Sequence, residues 1–172
     1  FVIDASQTVT KQDQVIAGEI FDQTKGCIIV ANKMDLFDGD EDKLKDYISH
    51  HFPFLWFCPV FFVSAETGDG LDEAIARIKP IYDNRLKQVP QEEIDSLWEK
   101  TMKNNPPKRM LDQKVPKVYG LEQIDTDPPA FLLTVNHPAA ISTQYKRFLL
   151  KEIIKNLDFW GTPIKLHLKK KE

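Results

Sequence analysis

With 172 residues, 42% of them hydrophobic and 28% charged, the chain has enough apolar material for one ordinary domain or two small ones, which excludes a disordered polypeptide. A net charge of −3 leaves no overall bias toward nucleic acid. The charge is uneven, though: residues 1–88 carry 9 basic and 15 acidic groups, net −6, and residues 89–172 carry 14 and 11, net +3, as expected of two modules with different partners.

In chain order, "FVIDA" (1–5) reads as a short buried strand. The chain opens inside it, at Phe1 and without a methionine, which is the expectation of a fragment. "KQDQVIAGEIFDQ" (11–23) predicts a helix with Val15, Ile16, Ile20 and Phe21 near one face. "CIIVA" (27–31) is a continuous apolar strand, the pattern of a sheet covered on both faces. A helix over 41–51 and a strand "PVFFV" (59–63) follow. The apolar run Phe52–Val63 has 12 residues and two prolines, too short and too broken to span a bilayer. "LDEAIARIKPIYDNRLKQV" (71–89) predicts a long helix with Leu71, Ile75, Ile78, Tyr82, Leu86 and Val89 in phase and a kink at Pro80. Strands alternating with helices imply a parallel, doubly wound sheet.

The second half has another order. Residues 92–104 form an amphipathic helix with Ile94, Leu97, Trp98 and Met102 inward, ended by "NNPPKR". Residues 115–124 and 130–136 read as two strands around "DTDPP". A helix over 142–157 starts at the N-cap Ser142, with Tyr145, Phe148, Leu149 and Ile153 on one stripe. "PIKLHLKKK" (163–171) alternates as a half-buried strand. Helix, strand, strand, helix, strand is a small α+β module, and the boundary falls near Val89–Gln91. Cys27 and Cys58 lie in apolar runs and read as buried free thiols in a reducing compartment.

Chemistry concentrates in two places. Asn32-Lys33-Met34-Asp35 directly follows a predicted strand, at the end where parallel sheets bind ligands. A carboxylate such as Asp35 accepts from guanine N1–H and N2–H2 together, a match adenine lacks. Asn32 offers both a donor and an acceptor, and the methylene stem of Lys33 suits the ring face. Ser64-Ala65, within "VSAETG" (63–68), follows the next strand and would place a backbone N–H near guanine O6. Alone, Asn-Lys-x-Asp is often only a strand-to-helix turn. Both motifs, in order and each after an apolar strand, point to a guanine site.

A phosphate loop, Gly-x4-Gly-Lys-Ser/Thr, is expected beside such a site. None of the seven glycines is followed by Lys-Ser or Lys-Thr, and the only Asp-x-x-Gly, Asp158–Gly161, falls in the second module and reads as a turn. The sequence thus holds the base-reading end of a GTPase domain without catalytic or magnesium-binding residues. His50, His51, His137 and His167 show no metal-ligand spacing, so no metal site is expected.

Taken together, "VIDASQTVTKQDQVIAGEI", "IIVANKMDL", "VSAETGDGLDE" and "YDNR", followed by "DPPAFLLTVNHP", "YKRFLLKEI" and "FWGTPIKLHLKKK", resemble the Der (EngA) family of bacterial tandem GTPases over essentially the whole chain. The resemblance implies that residues 1–89 are the C-terminal portion of a partial P-loop-type GTPase domain and 90–172 a KH-like domain. It further implies a cytoplasmic GTPase using GTP/GDP and Mg2+, active in large ribosomal subunit assembly, with Asn32, Lys33, Met34, Asp35, Ser64 and Ala65 as base contacts. A KH fold that grips RNA uses a Gly-x-x-Gly loop. After residue 89 only Gly120 and Gly161 occur, and neither has a partner three residues away. Lys165, Lys169, Lys170 and Lys171 are left as candidate contacts to ribosomal RNA phosphates. The competing expectations are an Era-like GTPase, which should show Gly-x-x-Gly, and an interaction module that uses no nucleotide.

Overall fold

The computed structural model describes residues 1–108 and 116–171. Arg109, the last residue of the predicted break, and Val115, the first of a predicted strand, lie outside them. Two compact units emerge. One comprises Phe1–Asn84 with Trp160–Pro163, the other Arg85–Phe159 with Ile164 onward.

The first unit is a three-stranded parallel sheet in the order β1 (Val2–Asp4), β2 (Ile29–Asn32), β3 (Val60–Phe62), with helices α1 (Lys11–Asp22), α2 (Glu41–His51) and α3 (Leu71–Leu86). Short continuous apolar runs gave the strands, but burial is uneven: Ile3, Ile29 and Ala31 are buried, Val2 is exposed and β3 is half-buried. Caps fix the helix starts. Thr10 and Asp13 form a reciprocal capping box at α1, and the Asp40 carboxylate accepts the Lys43 N–H at α2. The core gathers Ile3, Ile29, Ala31, Ile48, Phe52, Leu55 and Val63. Cys27 and Cys58 are both buried and free; the bond to Cys27, with burial, pushes the Cys58 thiol up.

On two helices the apolar stripe is not the buried face. On α3, Ile75, Ile78, Tyr82 and Leu86 are 60%, 55%, 61% and 49% exposed, while Ala74 and Ile81 are buried. On α1, Val15, Ile16 and Phe21 are exposed and Ala17 is wholly buried. Periodicity marks where apolar residues lie on a helix. Which face is buried is set by contact, and here small Ala17 and Ala74 allow the closest approach. Pro80 lies within α3 on an exposed position.

The turn Trp160–Pro163 packs into this unit. Gly161 N–H donates to the Phe57 carbonyl at 2.7 Å and its own carbonyl accepts from Cys27 N–H at 2.8 Å. The wholly buried Thr162 donates its hydroxyl to the Ile81 carbonyl at 3.1 Å. Thr162→Val keeps the shape and removes the bond, so denaturant unfolding should show a loss of about 1 kcal/mol. An unchanged midpoint would mean that the bond adds nothing.

The second unit is α+β. Helix α4 (Gln91–Asn104) precedes β4 (Val118–Asp125) and β5 (Ala130–Val135), an antiparallel pair, then α5 (Thr143–Asn156) and β6 (Lys165–Lys170), parallel to β5. Ser142 caps α5 by accepting the Tyr145 N–H. Phe131, Leu133, Val135, Ile94, Leu149, Ile153 and Phe159 form the core, with Phe131 and Phe159 edge to face at 5.9 Å. The Gln123 amide ties down the segment before α4: it accepts from Val89 N–H and donates to the Lys87 carbonyl, each at 2.8 Å. A mixed architecture is therefore observed, a parallel sheet with helices followed by a small α+β unit.

Candidate guanine site

All three strands of the first sheet run parallel, so their carboxyl ends meet on one edge of the sheet. The Asn32–Asp35 segment leaves β2 there, and Ser64–Ala65 follows β3. Lys33 takes a left-handed backbone (φ 67°, ψ 39°), rare for a side-chain-bearing residue, which bends the chain into a one-turn 3₁₀ helix over Met34–Leu36. Met34 N–H donates to the Val63 carbonyl at 3.1 Å, tying that turn to the end of β3.

Side chains then lock the two segments together. Ser64 Oγ donates to Asp35 Oδ1 at 2.5 Å. Ala65 N–H donates to Asn32 Oδ1 at 3.0 Å. Ser64 is 2% exposed and also accepts the Thr67 N–H at 3.2 Å, so its hydroxyl is a fixed anchor. The loop beyond closes through Ser64 N–H to the Asp69 carbonyl and Gly68 N–H to the Ser64 carbonyl.

This geometry sorts the residues by task. With one Asp35 oxygen held by Ser64, the exposed carboxylate keeps its second oxygen as an acceptor. With Asn32 Oδ1 held by Ala65, the half-buried Asn32 keeps its two Nδ2 hydrogens as donors. Ser64 acts on Asp35 and holds it in place. The Ala65 N–H, expected from sequence near a base oxygen, is engaged by Asn32. Met34 is half-buried and contributes its backbone.

Sequence reading passed over Asp4. It ends β1 directly across from Asn32. Its Oδ2 pairs with Lys33 Nζ at 2.7 Å, and its Oδ1 accepts from Ser6 Oγ at 2.6 Å and Ser6 N–H at 3.0 Å. The bonded Lys33 ammonium, with the Ser6 hydroxyl, holds this carboxyl down at about 2, below its ordinary value. The charged pair therefore persists through the ordinary carboxylate range and is lost only as pH falls through about 2. The available signal was a single charged residue closing an apolar strand at the ligand-binding end of the sheet.

Of the candidate RNA contacts, Lys165, Lys169, Lys170 and Lys171 are all exposed in the second unit. Lys165 and Lys169 alternate with half-buried Leu166 and Leu168, while the Lys171 ammonium sits 4.1 Å from the Tyr119 ring centroid. Among the described residues, no cluster of three metal-ligating side chains occurs, and no helix is long and apolar enough to cross a membrane.

Residues 88–169 match the KH-domain-like domain of EngA bacterial GTPase enzymes, C-terminal. GTPase Der of Lactobacillus acidophilus is 34% identical over 174 residues, spanning 99% of this chain and 40% of the relative. GTPase Der of Aquifex aeolicus is 37% identical, spanning 99% and 39%, and that of Protochlamydia amoebophila 34%, spanning 99% and 35%. A solved structure of Aquifex aeolicus Era bound to GDP and aluminium fluoride is 22% identical with a TM-score of 0.40, covering 98% of this chain and 63% of that one. The chain thus spans about 40% of the length of the curated relatives it matches. Matched along nearly all its own length by Der GTPases, and through its second half by the KH-like domain of EngA, the chain belongs to the Der (EngA) family.

Proposed function

We propose that this chain is the base-reading end of a GTPase domain joined to a KH-like domain, and that Asn32, Lys33, Asp35, Ser64 and Ala65 recognise guanine. The observation that carries this is the pair of cross-links Ser64–Asp35 and Ala65–Asn32, which preorganise one acceptor and one donor set at the sheet's carboxyl end. The free Asp35 oxygen and the shared one accept from N1–H and N2–H2. Asn32 Nδ2 donates to N7. The Lys33 stem lies over the ring face, and Met34 shapes the turn. Residues 1–89 form the partial GTPase domain and 90–172 the KH-like domain in this reading.

GTP hydrolysis, with GTP, GDP and magnesium, belongs to the whole protein. This chain by itself reads the base without hydrolysing the nucleotide, because none of its segments has the glycine pattern of a phosphate loop. We assign the whole protein to large ribosomal subunit assembly in the bacterial cytoplasm, with exposed Lys165, Lys169, Lys170 and Lys171 contacting ribosomal RNA phosphates.

The test is an amide-shift NMR titration with GDP and with ADP. Base contacts alone give a Kd of order 1 mM. GDP should shift residues 32–35 and 64–66 saturably, and ADP should not. Equal responses to both nucleotides, or none to either, would remove the guanine assignment.

A further inference from the structure

We propose that Asp4 is a positioning residue of the base site, holding the Lys33 side chain in the orientation it needs over the purine ring. The inference rests on the guanine reading above and names a residue that reading does not include. Three observations converge. The Asp4 carboxylate is itself fixed, its Oδ1 by Ser6 and its Oδ2 by Gln7 Nε2 at 3.1 Å as well as by Lys33. Strand register sets Asp4 opposite Asn32, the residue before Lys33, so the anchor and the turn it serves belong to one sheet edge. The left-handed backbone of Lys33 carries its long side chain back across the end of β1, where Nζ meets Asp4 at 2.7 Å.

Lys33 and Asp4 side chains are 48% and 25% exposed, and pairs this open add little to fold stability. Restricting the most mobile side chain of the site is a larger effect. A lysine ordered before the ligand arrives does not lose its rotamer freedom on binding. Because the stem touches the ring face and the ammonium is held away from the base edge, the gain is the same for any purine with the same edge match. Asp4 thus raises affinity without setting selectivity, the reverse of Asp35.

The experiment is an NMR titration of the 172-residue chain with GDP, ADP and inosine diphosphate, on the wild type, Asp4→Asn, Lys33→Ala and the double variant. Asp4→Asn keeps the size of the side chain and an acceptor for Ser6, and its melting temperature should match the wild type. Asp4→Asn is expected to weaken GDP binding about 2- to 10-fold, with the ratio of GDP to inosine diphosphate affinity unchanged. The double variant should bind no worse than Lys33→Ala, because the two residues act as one unit. A guanine-selective wild type whose Asp4→Asn variant binds GDP equally well overturns the role of Asp4 alone. So do effects that multiply in the double variant, and so does a Lys33→Ala variant that binds as tightly as the wild type. A wild type that treats GDP and ADP alike overturns the guanine reading and the role of Asp4 with it.

Discussion

Asparagine in place of Asp35 is expected to turn the site from guanine toward xanthine. Guanine presents two donors, N1–H and N2–H2, to a carboxylate that can accept both. The amide of Asn offers one acceptor and one donor. Its orientation is not free, because Ser64 Oγ, 2.5 Å from Oδ1, donates and so keeps an oxygen at that position. The Nδ2 group then occupies the outward position and faces the guanine amino group donor to donor. Leaving those donors unmatched costs about 2–4 kcal/mol, a factor of roughly 30 to 1,000 in affinity. Xanthine carries a carbonyl at C2 and accepts from Nδ2 instead. Competition between GDP and xanthosine diphosphate checks this: the preference should invert in Asp35→Asn. Retention of the GDP preference would mean that the base edge is read elsewhere.

The same site shows what could and could not be read from residue order. The strands were legible because β1, β2 and β3 lie in short, unbroken apolar runs, although Val2 of β1 stays exposed and β3 is only half-buried. The bounds of α2 were legible because Asp40 and the apolar spacing fix them locally. Asn32, Asp35 and Ser64 stood out as candidates because their spacing is a chemical grammar, and the structure brings them together. Asp4 was not, because its partnership with Lys33 exists only once β1 pairs with β2 in the observed register. Likewise the stripe Ile75, Ile78, Tyr82, Leu86 obeys helical periodicity and still faces solvent. Periodicity records amphipathicity, whereas the buried face of α3 is carried by Ala74, whose small side chain adds little to that signal, and by Ile81, which lies off the stripe. The burial of Thr162 was equally invisible, since its acceptor Ile81 lies 81 positions away in sequence. What residue order withheld was long-range pairing; local propensity was almost wholly readable.

The loop that presents Ser64 depends in turn on Gly70, and Gly70→Ala is expected to be the most damaging single-methyl change at the site. Two penalties coincide there. Gly70 has φ +73°, a region in which a Cβ is strained. A Cβ built on it would also lie 2.2 Å from the Phe62 carbonyl oxygen, a backbone atom of β3 that no rotamer change can move. Relief requires the loop to shift away from β3, which pulls on the Ser64 N–H bond to the Asp69 carbonyl and hence on the anchor of Asp35. The combined cost should be about 2–4 kcal/mol in denaturant unfolding, with guanine selectivity lost along with stability. Gly68 separates the two causes. It has φ +89° but nothing within 4 Å of its added Cβ, so Gly68→Ala should show the conformational cost alone, about 1–2 kcal/mol. If both variants lost the same stability, the close approach to Phe62 would carry no weight, and the loop would be held by backbone conformation alone.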